Sequence, residues 1–399
     1  METDVIIVGA GPAGLCLARS LSSCDLRVVV IEQQGLADIG DPKYDGREIA
    51  LTQKSVRIMT RLGLWDLIEL DGRSPLRDAR VFDGSSRSPL QIGHELGRHA
   101  ELGWLVSNHL IRKAAWRAVQ HRIAMNADIS IITDEMVKGV ETDDTAARVT
   151  MESGKTITGK LVVAADSRFS ATRRMMGIGA DMHDFGKSML VCRMTHDEPH
   201  HHAAWEWFGY GQTLALLPMN PDLVIGAYQS SVVVTLHANE VEKLARLKPA
   251  AFDAEIARRF EGRLGGMKLA STRHVYPLVA VYSRRFVGKR FAAVGDAAVG
   301  MHPVTAHGFN LGLLSIEKLS AEVVAAHTGE FDIGGASLLH RYDAHHYRAS
   351  RPLYLATRLI TDLYTSGSPP AKLMRKILLQ TAERFVPFKK AVAIALSDR

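Results

Sequence analysis

Asp4-Val5-Ile6-Ile7-Val8-Gly9-Ala10-Gly11-Pro12-Ala13-Gly14 is the stretch on which the fold turns. Its first half is a short β-branched run suited to a buried parallel strand. Its second half is a G-x-G-x-x-G turn, followed by an amphipathic helical stretch to about Leu21 and a second apolar run, Arg27 to Ile31, that ends in Glu32. Gly9 permits the tight turn, Gly11 lets a pyrophosphate approach the backbone, and Gly14 lets helix and strand pack closely. The helix start, from Ala13 on since Pro12 has no N–H, offers free N–H groups to phosphates. Glu32, with Gln33 beside it, sits where an acceptor meets a ribose hydroxyl. Strand, turn, helix and closing acid together predict a dinucleotide site.

At 399 residues the chain is longer than one ordinary domain, so two lobes and an appendage are expected. A net charge of +6 without a long Lys/Arg run speaks against nucleic acid and leaves an anionic membrane surface or an acidic partner open. Three cysteines, Cys16, Cys24 and Cys192, match no metal or disulfide spacing and read as reduced thiols. No run approaches the roughly 18 apolar residues of a spanning helix, and the acidic N-terminus is itself a strand. The expected location is cytoplasmic, with peripheral membrane contact as an option.

After the polar stretch Gly40 to Gly46, Arg47 opens a strand-to-helix passage. It reads either as a solvated arginine or as a phosphate- or ring-binding one. A helix is expected from Asn108 to Met125, then a small meander to Ile157. Leu161 to Asp166 is a second buried strand ending in an acid, followed by small residues opening a helix at Ser170-Ala171. From Met189 to His274 alternating strands, with one helix around Val241 to Phe260, predict an antiparallel sheet serving as a substrate lid. Its apolar lining is expected at Leu214, Leu216, Leu217, Val224 and Ile225. His196, His200, His201 and His202 read as a solvated loop rather than a metal site, and Trp205 and Trp207 as core. A third strand, Arg290 to Gly295-Asp296, runs into a small-residue loop through His302, Pro303 and His307 to Gly308-Phe309-Asn310. Beyond Pro352 a basic amphipathic tail reads as a helical cap, a subunit contact or a membrane-docking segment.

Three separated stretches resemble the FAD-binding motifs of class A flavoprotein aromatic hydroxylases: Gly9–Gly14 with Glu32, Asp166 to Arg173, and Gly295-Asp296 through Gly312. The run His302-Pro303 to Gly308-Phe309-Asn310-Leu311-Gly312, with Arg47-Glu48-Ile49-Ala50-Leu51, is most similar to the ubiquinone-biosynthesis hydroxylases. The resemblance implies an α/β fold: a Rossmann-like FAD-binding domain (1–75, 106–185 and 275–345), a second domain of mixed antiparallel β-sheet plus helices (76–105 and 186–274) and a C-terminal helical segment (346–399). It implies that Gly9, Gly11, Pro12, Ala13, Gly14, Glu32 and Gln33 hold the ADP half of FAD. Arg47 and Asn108 would lie near the flavin phosphates or ring, and Asp166 near the pyrophosphate. Gly295 and Asp296 would meet the ribityl chain and pyrophosphate, with Pro303, Gly308, Phe309 and Asn310 against the isoalloxazine. His307, His302 and Pro303 are the expected catalytic positions, the histidines as proton carriers or as structural hydrogen-bond formers. No metal is expected.

The implied activity is FAD-dependent hydroxylation of the aromatic ring of a prenylated quinone precursor, using O2 through a flavin C4a-hydroperoxide. NAD(P)H or another external reductant would bind transiently, since no second glycine-rich fingerprint exists. A soluble phenol or polyketide as substrate, and a non-catalytic lipid- or partner-binding FAD fold, are the alternatives. Contact with a biosynthetic complex and homo-oligomerisation are further expectations. Departures from the family pattern are Ser167 where Gly is usual after Asp166, Thr305-Ala306-His307 before Gly308, and Leu314-Ser315 further on.

Overall fold

A computed structural model describes residues 2–84, 89–97, 99–209, 211–301 and 308–365, together with 387, 389, 390, 393 and 394. The catalytic expectations His302, Pro303 and His307 lie outside the described residues, as does most of the tail.

The strand Val5–Val8 is central to a six-stranded sheet, paired in parallel with Leu161–Ala164 on one side and Val28–Ile31 on the other. Phe291–Ala293 and Ile129–Ile132 extend it, and Val287–Gly288 closes one edge in antiparallel sense. Both faces of this sheet are covered, which explains why its strands are apolar runs without alternation. Val5, Ile6 and Ile7 are fully buried, and each such side chain contributes about 2 kcal/mol by leaving water. The helix Pro12–Leu21 packs against Asn108–Ala124 and Gly308–Thr328. A meander, Val137–Thr142, Ala147–Met151 and Thr156–Gly159, adds its apolar side to the same core.

The second sheet has nine strands, in the order Val299–Gly300, His274–Ser283, Ala180–His196, Tyr228–His237, Thr213–Met219, Ala203–Phe208, Asp78–Asp83 and Leu90–Gly93, with Met267–Leu269 also pairing Ala180–His196. The strand Ala180–His196 is far longer than the segment expected from Met189, and a register shift between Asp184 and Ser188 bends it. One continuous helix was expected around Val241 to Phe260; two are present, Ala238–Ala245 and Pro249–Arg259. Pro249 explains the break, because it has no N–H to donate and suits only the first turn of a helix.

The helices cover the back of this sheet, forming a second core with Trp205, Trp207, Leu214, Leu216, Phe252, Ile256 and Phe260. Leu214 and Leu216 therefore do not line a lid. They alternate with residues on the other face and point into the helix layer. Val224 and Ile225 occupy an exposed turn held by Asp222, whose Oδ1 accepts from both of their N–H groups. The histidine loop is solvated only in part: His201 is exposed and His202 half-buried. His196 is buried between the Glu198 carbonyl and Ser230 Oγ, and His200 bonds Met219 O at 3.0 Å. Burial depresses His200 to about 4, so it is a neutral structural imidazole.

A short antiparallel sheet, Glu48–Thr52, Gly103–Ser107 and Ser74–Leu76, lies between the two large ones. The C-terminal helix begins at Ala336 and runs through Pro352 to Thr365. Ala393 is buried with Ile92 of the second sheet's edge strand and with Leu102, just before Gly103–Ser107.

Candidate active site

The parallel strands deliver their carboxyl ends to one place. Val8 leads into Gly9, Ala164 into Asp166, and Ala293 into Gly295, which is where open α/β sheets bind ligands. The three stretches meet in atomic contact. Gly9 has φ +106°, and a Cβ there would lie 2.7 Å from Ala165 O and 2.9 Å from Asp166 Cα. Gly295 has φ +58°, and a Cβ on it would lie 2.8 Å from Ala13 Cβ. Gly308 faces Asp296, and Gly312 packs on Gly295.

Glu32 does more than close a strand. Its Oε2 accepts from Ala10 N–H at 2.6 Å and its Oε1 from Gln34 N–H at 2.9 Å, so the buried carboxylate braces the glycine turn. Gln33 is exposed beside it. Asp166 Oδ2 accepts from the Thr172 N–H and hydroxyl, whereas its Oδ1 is buried with no hydrogen-bond partner. Ser167 takes φ +156°, a backbone region that glycine occupies most cheaply.

Two arginines tie the second motif to the third. Arg168 Nη2 pairs with Asp296 Oδ2 at 3.1 Å, and its Nη1 donates to Val279 O of the second sheet. Arg173, only 2% exposed, donates to Ala297 O at 2.8 Å. Ser315 Oγ accepts from Gly295 N–H, a use for the serine that stands where the family differs. Asn310 is buried, and its amide holds the strand Glu48–Thr52 through Ala50 O and Thr52 N–H. Phe309 packs on the nucleotide-unit core.

Arg47 and Asn108 come together around Asp45. The Asp45 Oδ2 accepts from Arg47 Nη2 at 2.6 Å and from Asn108 Nδ2 at 2.7 Å, and the Asp45 carbonyl accepts from the Tyr276 hydroxyl at 2.6 Å. Burial would raise the Asp45 carboxyl, but these donors and the Arg47 charge bring it below the usual carboxylate range. The Arg47 guanidinium also lies 5.8 Å from the Tyr276 ring centre. Beside this group sits a buried ion pair. Glu48, with a side chain 1% exposed, receives Arg193 Nη2 at 2.8 Å and the Ser107 hydroxyl at 2.6 Å. The Arg193 guanidinium stacks on Tyr44 at 4.5 Å. Nothing in the sequence singled out Arg193, Glu48 or Tyr276 as partners. Only the strand register brings them to one wall.

The cradle fits the diphosphate-linked flavin nucleotide that the motifs imply. Asp166 Oδ1 is a buried acceptor awaiting a donor, and the space a Gly11 side chain would fill holds no protein atom within 4 Å. The adjacent helix Pro12–Leu21 starts at Gly11 without a side-chain cap, leaving its first N–H groups free for an anion.

Residues 2–353 match the family described as FAD binding domain. The chain belongs to the FAD-dependent hydroxylases. It is 44% identical over 401 aligned positions to the ubiquinone hydroxylase UbiM of Neisseria meningitidis, covering 100% of this chain and 85% of that protein. It is 33% identical to the ubiquinone hydroxylase UbiL of Rhodospirillum rubrum, covering 97% of this chain and 87% of that protein. Among solved structures, the p-nitrophenol 4-monooxygenase PnpA from Pseudomonas putida superposes with a TM-score of 0.76 at 16% identity, covering 98% of this chain and 97% of that one. PqsL, a probable FAD-dependent monooxygenase from Pseudomonas aeruginosa, gives 0.74 at 18%, covering 92% and 98%. FAD is the cofactor and the chain is a monooxygenase, so the non-catalytic reading falls. No helix among the described residues is long and apolar enough to cross a membrane.

Proposed function

We propose that the enzyme hydroxylates the aromatic ring of a prenylated quinone precursor on the route to ubiquinone. The observation that carries this reading is the match, over the whole of this chain and 85% of the relative, to a protein named for ubiquinone hydroxylation. The wall around Tyr276 and Arg193 agrees with it, because Met189, Val191, Val233 and Ala215 share that face and give an aromatic, prenylated ligand an apolar bed.

Bound FAD, reduced by NAD(P)H or another donor, would activate O2 and supply the oxygen atom. The chain's own residues bind, orient and shield. Gly9, Gly11, Pro12, Ala13 and Gly14 hold the diphosphate, with Glu32 keeping the turn shut and Gln33 at its rim. Asp166, Gly295 and Asp296 take the pyrophosphate and ribityl hydroxyls. Arg47 and Asn108 sit toward the phosphates or ring, and Pro303, Gly308, Phe309 and Asn310 flank the ring. His302 and His307 carry protons there. The nucleotide unit and the nine-stranded sheet act as cofactor and substrate units. Peripheral membrane contact, a biosynthetic complex and self-association complete the reading.

Turnover of 2-prenylphenol against 4-hydroxybenzoate by the FAD-loaded enzyme tests the substrate class. The prenylated phenol should be hydroxylated at least tenfold faster. Faster turnover of the soluble acid would overturn the lipid substrate and favour a soluble phenol.

A further inference from the structure

Glu206 stands between Trp205 and Trp207 in the strand Ala203–Phe208. The two indoles are buried in the helix-covered core on the back of the nine-stranded sheet, so alternation turns the Glu206 carboxyl to the front. The front is the face that the nucleotide unit covers. Arg193 and Tyr276, which share it, reach Glu48, Ser107 and Asp45.

Register fixes the company Glu206 keeps. Val81, Glu206, Ala215, Val233 and Val191 lie side by side across neighbouring strands. One step along, Ala79 pairs opposite Ala204 and packs with Ile92, Leu102 and Ala393, so the outer end of this face is also closed. Glu206 is thus an acid on an apolar floor inside the substrate wall. Among the described residues it has no hydrogen-bond or ionic partner. The nearest charged group on the same face is Asp83, diagonal on the adjoining strand. Three or more strands away the face also carries Lys187, His274, Lys268 and Arg193, which is committed to Glu48 and Ser107, with His237 on the strand between. Burial alone pushes the Glu206 carboxyl up to about 8, within reach of proton exchange with a phenol.

Given an aromatic ring substrate, as argued above, we propose that Glu206 takes the proton of its phenolic hydroxyl during ring oxygenation. The phenol O–H bond breaks, a carboxyl O–H bond forms, and the electron pair stays on the phenolate oxygen. That pair enriches the ortho and para carbons, one of which accepts the oxygen atom. When aromaticity returns, the hydrogen on that carbon leaves as a proton to water, its bonding pair restores the ring and the phenolate, and Glu206 gives its own proton back to the phenolate.

The test follows the near-ultraviolet absorption of bound 2-prenylphenol against pH in FAD-loaded wild type, Glu206→Gln and Glu206→Asp. Bound phenol should ionise at least about one pH unit higher in wild type than in Glu206→Gln, because the Glu206 carboxylate, ionised first, opposes a second negative charge beside it. Hydroxylation should fall about 100-fold in Glu206→Gln with FAD content unchanged, and Glu206→Asp should recover part of it. Equal ionisation and equal rates in wild type and Glu206→Gln would overturn the role while leaving the substrate class intact. Failure of wild type itself to bind the phenol would overturn the substrate class and this role with it.

Discussion

A Cβ on Gly14 would fall on the Gly9 carbonyl oxygen, which is backbone and has nowhere to go, whereas one on Gly11 would meet nothing within 4 Å. The two glycines of one motif therefore answer to different demands. Gly14→Ala should cost at least about 2 kcal/mol of stability, read by chemical denaturation of the apo-protein. Gly11→Ala should change apo stability by less than about 0.5 kcal/mol and still weaken FAD binding, measured by titration. Equal damage to apo stability from both would refute the distinction. Ser167 gives a prediction of opposite sign. At φ +156° its side chain costs energy that glycine avoids, so Ser167→Gly should stabilise the fold by about 1 kcal/mol, net of glycine's entropy. These local demands were legible because turn, strand and helix follow one another in the chain. The bonds Glu32 makes to Ala10 and Gln34 were not, because residue type alone does not say which acceptor sites a carboxylate spends on backbone.

Between elements, the pair Arg193–Glu48 joins the substrate sheet to the strand that leads from Arg47, across 145 positions of sequence. Burial pushes Glu48 above the usual glutamate range, with Arg193 and Ser107 opposing that rise. Removing one partner strands the other. Arg193→Met should cost about 3–5 kcal/mol, while Arg193→Met with Glu48→Leu should recover most of that loss. Thermal unfolding of the two variants checks it, and a double variant no better than the single would count against a buried pair. Such pairing was invisible in the sequence because it depends on register between distant strands. The helix Asn108–Ala124, by contrast, was legible from its periodicity. The same limit explains Leu214 and Leu216: alternation separates two faces of a strand but does not say which of them meets the helices.

Over the whole molecule, two buried imidazoles set a response to acid. His346 is stacked on Tyr342 and held at about 3, and His200 at about 4, both by burial. Unfolding frees them to bind protons near 6.5, so their neutral burial contributes stability that is complete above that pH. The contribution is lost as pH falls from about 6.5 through 4 toward 3. Denaturation midpoints should decline over this window, and His346→Phe should lessen the decline. Fold class and cofactor were readable at this scale because three short motifs in order admit few architectures. The substrate wall was not, since Tyr276, Arg193 and Glu206 come to one face, on separate strands, only once the nine strands are in register. Above all, this assembly places one atom of dioxygen on an aromatic ring. The most direct measurement is a single set of turnovers with FAD-loaded enzyme, NADH or NADPH, 2-prenylphenol and isotopically heavy dioxygen, the product weighed by mass spectrometry. One heavy oxygen is expected in the ring product. Oxygen drawn from water, or reductant consumed with phenol recovered unchanged, would contradict it.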